Sequence, residues 1–132
     1  MENKEGDEIM ITFDFDYFKP ETIAEAVEIF SIESKQGKKV IYYAGGTEFI
    51  TFARVNKLDA NTVIDIKGIF ECKILEIKDE QLIIGSVVSL NQISDSNLFP
   101  LLGKTVKQIA DHTSRNKITL GGNMNSRLMY RE

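Results

Sequence analysis

The chain has 132 residues, of which 42% are hydrophobic, and a formal charge of −4. That length and apolar share fit one folded unit with a buried core, and the absence of a Lys/Arg stripe with interleaved aromatics argues against nucleic acid as a partner. No apolar run approaches the roughly 20 residues that cross a bilayer, residues 1–8 lack the apolar core of a signal peptide, and a single cysteine, Cys72, excludes an internal disulfide or an all-Cys cluster. A cytoplasmic protein without a membrane partner is expected.

Residues 1–8 read as a flexible, solvated tail. Extended structure is predicted from Ile9 through Phe13 and Phe15 to Phe18, followed by Pro20 as a helix lead-in. Thr22 and Glu25 have capping-box spacing, and Ile23, Ala26, Val27 and Phe30 then recur on one face, so an amphipathic helix ending near Gly37 is predicted with that stripe as core. Val40-Ile41-Tyr42-Tyr43 is continuous rather than alternating, which predicts a strand covered on both faces within a parallel βαβ unit.

That strand breaks into Ala44-Gly45-Gly46-Thr47-Glu48-Phe49, with a short helix predicted over residues 48–55. In open α/β sheets ligands sit beyond the carboxyl ends of strands. Two glycines permit positive φ and close approach to backbone amides, which can form a nest for phosphate. Alone, such a pair also reads as a tight turn.

A strand is next predicted over Thr62-Val63-Ile64-Asp65-Ile66, stopped by Gly68. Leu75 and Ile77 alternate with Glu76 and Lys78, Asp79-Glu80 turns the chain, and Leu82 and Ile84 resume the alternation, predicting an antiparallel hairpin. Ser89 and Gln92 repeat the capping-box spacing. Leu98, Leu101, Leu102, Val106 and Ile109 predict a second amphipathic helix ending near residues 111–113, with Pro100 in its first turn and His112 as a surface residue at its end. Ile118-Thr119-Leu120 then reads as a strand running into a second break, Gly121-Gly122-Asn123.

The fold class is therefore α+β: an N-terminal βαβ unit over about residues 9–60, then mixed and antiparallel strands with flanking helices over about 61–132. No P-loop, GxGxxG, HExxH or GxSxG motif occurs, and no catalytic residue or metal ligand is assigned. Two strand-to-glycine breaks carrying Thr47, Thr119 and Asn123 would suit the two sides of a diphosphate, whose charge takes several charge-assisted hydrogen bonds.

On Ala44-Gly45-Gly46-Thr47-Glu48-Phe49 and Thr119-Leu120-Gly121-Gly122-Asn123, in that order and separation, the chain resembles the FAD-binding domain of molybdenum hydroxylases, the flavin subunit of xanthine dehydrogenase and carbon monoxide dehydrogenase relatives. Supporting landmarks are Pro20-Glu21-Thr22-Ile23-Ala24-Glu25-Ala26, Val63-Ile64-Asp65-Ile66 and Ile84-Gly85-Ser86. The resemblance implies a PCMH-type FAD-binding fold of which this chain carries the N-terminal part only, so that the fold is incomplete. It implies FAD as cofactor, held by Ala44, Gly45, Gly46, Thr47, Glu48 and Phe49 on one side and Thr119, Gly122 and Asn123 on the other. Ile109 falls where the family packs an apolar side chain near the adenine, although it also fits the core stripe. Glu132 matches an acidic position near the adenosine or ribityl part.

The implied function is electron transfer in a xanthine-dehydrogenase-like oxidoreductase, from iron–sulfur clusters through FAD to NAD. Its partners would be an iron–sulfur subunit and a molybdenum-cofactor subunit, with the isolated 132-residue chain inactive. The alternatives are a flavin-free assembly module of the same fold and a more distant flavin oxidase.

Overall fold

The computed structural model describes residues 14–46 and 60–125. The tail expected over residues 1–8, the extended run over 9–13 and the helix expected over 48–55 lie outside them.

Strand β1 (Asp16–Phe18) leads through Pro20 to helix α1 (Ile23–Lys35), and β2 (Val40–Tyr43) follows. The Thr22 side chain caps α1 by accepting from the Glu25 amide at 3.1 Å, as its spacing predicts. The reciprocal half of the box is displaced by one residue, since the Glu25 carboxylate accepts from the amide of Glu21 at 3.0 Å. β3 (Thr62–Asp65) lies between the other two strands, in the order β1-β3-β2, and both pairings are parallel. β3 starts beyond the division expected near residue 60, yet it is the centre of the first layer.

All four β3 residues are buried, so the run covered on both faces is Thr62 to Asp65. β2, expected to be that strand, is instead the layer's edge among the described residues, with Tyr42 47% exposed. The helix face also differs from its predicted stripe. Ala26 and Ile29 pack with Val40, Ile64 and Ile69, whereas Ile23, Val27 and Phe30 are exposed. Farther along, Glu33 turns inward because it accepts from Thr62 Oγ1 at 2.9 Å and from Lys38 Nζ at 2.6 Å. Those bonds hold the Glu33 carboxyl below its usual range, Lys38 first and Thr62 second. Phe30 stacks on Tyr42 instead, with ring centroids 5.2 Å apart.

Two 3-10 turns, Ile66–Gly68 and Phe70–Lys73, lead out of this layer. β4 (Leu75–Lys78) and β5 (Gln81–Ile84) form the predicted antiparallel hairpin. Asp79 and Glu80 both take positive φ, 50° and 61°, the backbone of a turn whose twist matches that of the strands it joins.

Helix α2 (Leu90–Ser96) carries a complete capping box: the Ser89 hydroxyl accepts from the Gln92 amide, and the Gln92 side chain accepts from that of Ser89. Helix α3 (Pro100–Val106) has Pro100 in its first turn, as expected, but stops at Val106 rather than near residues 111–113. Arg115 Nη1 donates to the carbonyls of Lys107, Ile109 and Ala110 at 2.9–3.1 Å, taking oxygens that a continuing helix would offer to its own amides, and Ala110 has φ 49°. Asp111 then caps a new short helix, α4 (His112–Arg115). His112 thus begins a helix instead of ending one. Helix α5 (Leu120–Met124) completes the described chain.

A second core gathers Val88, Leu90, Ile93, Val106 and Ile109, flanked by Leu75, Ile84, Leu102, Ile118 and Leu120. Among the described residues no helix is long and apolar enough to cross a membrane.

Candidate functional site

The first glycine break sits at the carboxyl end of β2, where the parallel layer predicts a ligand loop. Gly46 has φ +77°, a conformation that L side chains rarely adopt, and the Tyr43 ring folds over it so closely that a Cβ would lie 2.5–2.7 Å from the ring and hydroxyl. Lys67, from the turn after β3, reaches across to this loop. Its Nζ donates to the Ala44 carbonyl at 3.0 Å, pairs with Asp65 Oδ2 at 3.0 Å and lies 4.3 Å from the centroid of the Tyr43 ring.

Asp65, the last residue of β3, is buried and anchors the group. Its carboxylate accepts from the Tyr17 hydroxyl, the Lys67 amide and the Lys67 ammonium. Burial pushes the Asp65 carboxyl up, but the bonds from Tyr17 and Lys67 together outweigh it and hold the group below its ordinary value. The same bond to Asp65, and burial after it, push the Tyr17 phenol up to about 12.

The second break is built differently from its predicted strand and loop. Thr119 makes a single antiparallel bridge with Ser89, and Gly121 and Gly122 lie inside α5. The reason is a capping residue in disguise: Thr119 Oγ1 accepts from the Gly122 amide at 3.1 Å and starts the helix. Backbone bonds at 2.9 Å from Leu90 to Ile118, Leu120 to Val88 and Gly121 to Ser86 fasten the segment to the chain leading into α2. At Gly121 a Cβ would come within 2.8 Å of Ser86 Cβ, so this glycine serves close packing.

The two breaks meet. A Cβ on Gly45 would fall on the Lys117 carbonyl, 2.9 Å from its carbon and 3.6 Å from Thr119 Cγ2. Ala44, Gly45 and Gly46 are therefore neighbours of the segment that carries Thr119, Gly122 and Asn123. The Asn123 side chain makes no hydrogen bond to a described residue, while its amide closes the first helical turn onto the Thr119 carbonyl at 2.9 Å. Ile109 is 7% exposed and lies in the second core, which also takes in Ile118 and Leu120 on either side of Thr119. Thr47, Glu48, Phe49 and Glu132 lie outside the described residues. No group of His, Cys, Asp and Glu among the described residues could hold a metal ion.

Sequence reasoning missed Lys67, Tyr17 and Arg115. One signal was present, an aspartate closing the apolar run Val63-Ile64-Asp65, since a carboxylate there needs partners.

The chain has relatives among known proteins. Residues 13–129 match the family described as the FAD binding domain in molybdopterin dehydrogenase. The chain is 28% identical over 119 residues to the carbon monoxide dehydrogenase medium chain of Hydrogenophaga pseudoflava, covering 87% of this chain and 40% of that one. It is 26% identical over 117 residues to the nicotinate dehydrogenase FAD-subunit of Eubacterium barkeri, covering 86% of this chain and 39% of that one. The solved carbon monoxide dehydrogenase of H. pseudoflava lacking the Mo-pyranopterin moiety superposes with a TM-score of 0.80 at 27% identity, over 87% of this chain and 40% of the other. The chain thus spans about 40% of the length of these relatives. Its mixed helix-and-strand architecture is that of the PCMH-type FAD-binding subunits of molybdenum hydroxylases. With the family match running through both glycine breaks and the three-stranded layer beneath them, this chain belongs to the FAD binding domains of molybdopterin dehydrogenases.

Proposed function

We propose that the chain supplies the diphosphate-holding side of an FAD site in a xanthine-dehydrogenase-like molybdenum hydroxylase. The observation that carries this reading is the abutment of Gly45 on Lys117 and Thr119, which makes one surface of two breaks far apart in sequence. Residues 44–49 would face the diphosphate from one side, and Thr119, Gly122 and Asn123 from the other. Ile109 and Glu132 would lie toward the adenosine. The family's description names the cofactor, and the Gly46 backbone, with its positive φ, suits an anion nest.

Bound FAD would supply the electron-carrying chemistry; the chain's own residues bind and orient it. The Thr119 hydroxyl keeps its proton to donate, because it acts as acceptor toward Gly122. Iron–sulfur and molybdenum-cofactor subunits as partners, NAD as electron acceptor, a cytoplasmic location and a division into a parallel subdomain and a second subdomain belong to the same proposal.

FAD titration tests it. The chain alone is expected to bind FAD weakly, and a full-length FAD subunit carrying it, reconstituted with iron–sulfur and molybdenum subunits, is expected to give a yellow complex that reduces NAD with a purine substrate. Tight stoichiometric binding by the chain alone would overturn the reading that it supplies only one side of the site, and a folded complex that stays colourless with added FAD would overturn flavin binding altogether. A second reading, a flavin-free assembly module, is favoured by one observation: the Gly122 amide is already satisfied by Thr119.

A further inference from the structure

We propose that Lys67 is the positioning residue of the first glycine loop, acting on the ligand through the Ala44–Gly45 peptide. This inference rests on the diphosphate reading above. In a trans peptide the C=O and N–H lie in one plane and point in opposite directions. Fixing the Ala44 oxygen on the Lys67 ammonium at 3.0 Å therefore turns the Gly45 amide away from Lys67. The opposite constraint comes from the Lys117 carbonyl, against which Gly45 is packed without room for a Cβ. The loop's first peptide is thus held from both flanks before any anion arrives.

Lys67 is itself held. Its ammonium sits 3.0 Å from Asp65 Oδ2, and its backbone amide donates to Asp65 Oδ1 at 3.0 Å. Asp65 takes a third bond from the Tyr17 hydroxyl of β1. A chain of contacts therefore runs from β1 through the central strand β3 to the loop at the end of β2. The side chain of Lys67 is 42% exposed, whereas that of Asp65 is 3% exposed, so the ammonium lies at the surface end of a buried anchor. A solvated lysine with no task would not converge on a carbonyl, a carboxylate and a ring face at once.

The test uses amide NMR of the 15N-labelled 132-residue chain, with FAD as the probe. In the absence of FAD, Lys67→Met should lower the heteronuclear NOE of Gly45 and Gly46 while the resonances of β4 and β5 stay in place, which verifies the fold. Lys67→Arg, which retains donors, should restore much of the order. With FAD, the concentration that half-shifts the Gly45 and Gly46 amides should rise about tenfold in Lys67→Met, the weight of one charge-assisted hydrogen bond to the loop. Unchanged NOE values in unliganded Lys67→Met overturn the assignment whatever FAD does. No recovery in Lys67→Arg overturns it too, since packing of the side chain rather than the donated bond would then order the loop. If the wild-type chain shows no FAD-dependent shift at either loop, the diphosphate reading fails, and the unliganded comparison still decides the role of Lys67.

Discussion

Replacing Gly45 by alanine puts a methyl group onto a main-chain carbonyl. The Cβ would stand 2.9 Å from the carbon of Lys117 and closer still to its oxygen, and neither atom can swing aside as a side chain would. Gly45 is outside the left-handed region, so overlap alone sets the penalty. Overpacking of this kind costs typically 1–3 kcal/mol, and the rigid target argues for about 3 kcal/mol. Gly37→Ala is the matched control, because Gly37 has φ +78° with nothing within 4 Å of its Cβ position, leaving only backbone strain of about 1 kcal/mol. With a urea slope of about 2 kcal/mol per molar, the midpoint should fall by about 1.5 M for Gly45→Ala and about 0.5 M for Gly37→Ala. Circular dichroism during urea unfolding reads both. Equal shifts in the two variants would show that the loops do not abut at Lys117, removing the observation on which the proposed function stands.

The Tyr17 phenol, pushed up to about 12 by its bond to Asp65, favours the protonated form in the folded state; its stabilisation is fully present below pH 10 and is lost as pH rises through 12. Ultraviolet titration should therefore show one of the four tyrosines ionising near pH 12, and Tyr17→Phe should remove that step; a Tyr17→Phe curve that retains it would refute the assignment. Ser89→Ala removes the hydroxyl half of the α2 capping box and should lower stability by about 1 kcal/mol in the same urea assay, whereas no change would mean that water replaces the cap. Gly46→Val should weaken FAD binding by the reconstituted complex by at least about tenfold, through strain at a positive φ and collision with Tyr43; unchanged affinity would place the ligand elsewhere.

What could be read in the sequence was whatever depends on neighbours in the chain. Thr22 and Ser89 announced two helix starts by the spacing of residues three apart, and alternation through Leu75, Ile77, Leu82 and Ile84 announced the hairpin. What could not be read depends on contacts between distant residues. The orientation of α1 is set by Ala26 against Ile64 and by Glu33 against Thr62, so Ile23, Val27 and Phe30, which share the stripe the spacing predicts, are not its core face. α3 ends at Val106 because Arg115 captures carbonyls that local periodicity assigned to the helix. The Thr119 break shows the same limit at the site: a threonine before two glycines reads as a loop until its hydroxyl is seen capping α5. Both glycine breaks were visible, but their glycines divide by role. Gly45 and Gly121 admit other parts of this chain, and Gly46 provides the positive φ.

The position of β3 also constrains how the molecule can assemble. β1 and β2 are never hydrogen-bonded to each other; Asp16 pairs with Thr62, and so does Val40. Among the described elements, β1 and β2 therefore have no ladder to join until β3 has followed them in synthesis, and until then α1 has no sheet to rest on. Closing the layer means bringing together segments far apart in the chain before the new contacts can compensate for the lost freedom, the circumstance that slows folding. Val63 and Ile64, buried at the centre of the layer, are the residues on which its closure depends, and during synthesis the side chains of β1 wait longer for that cover than those of β2.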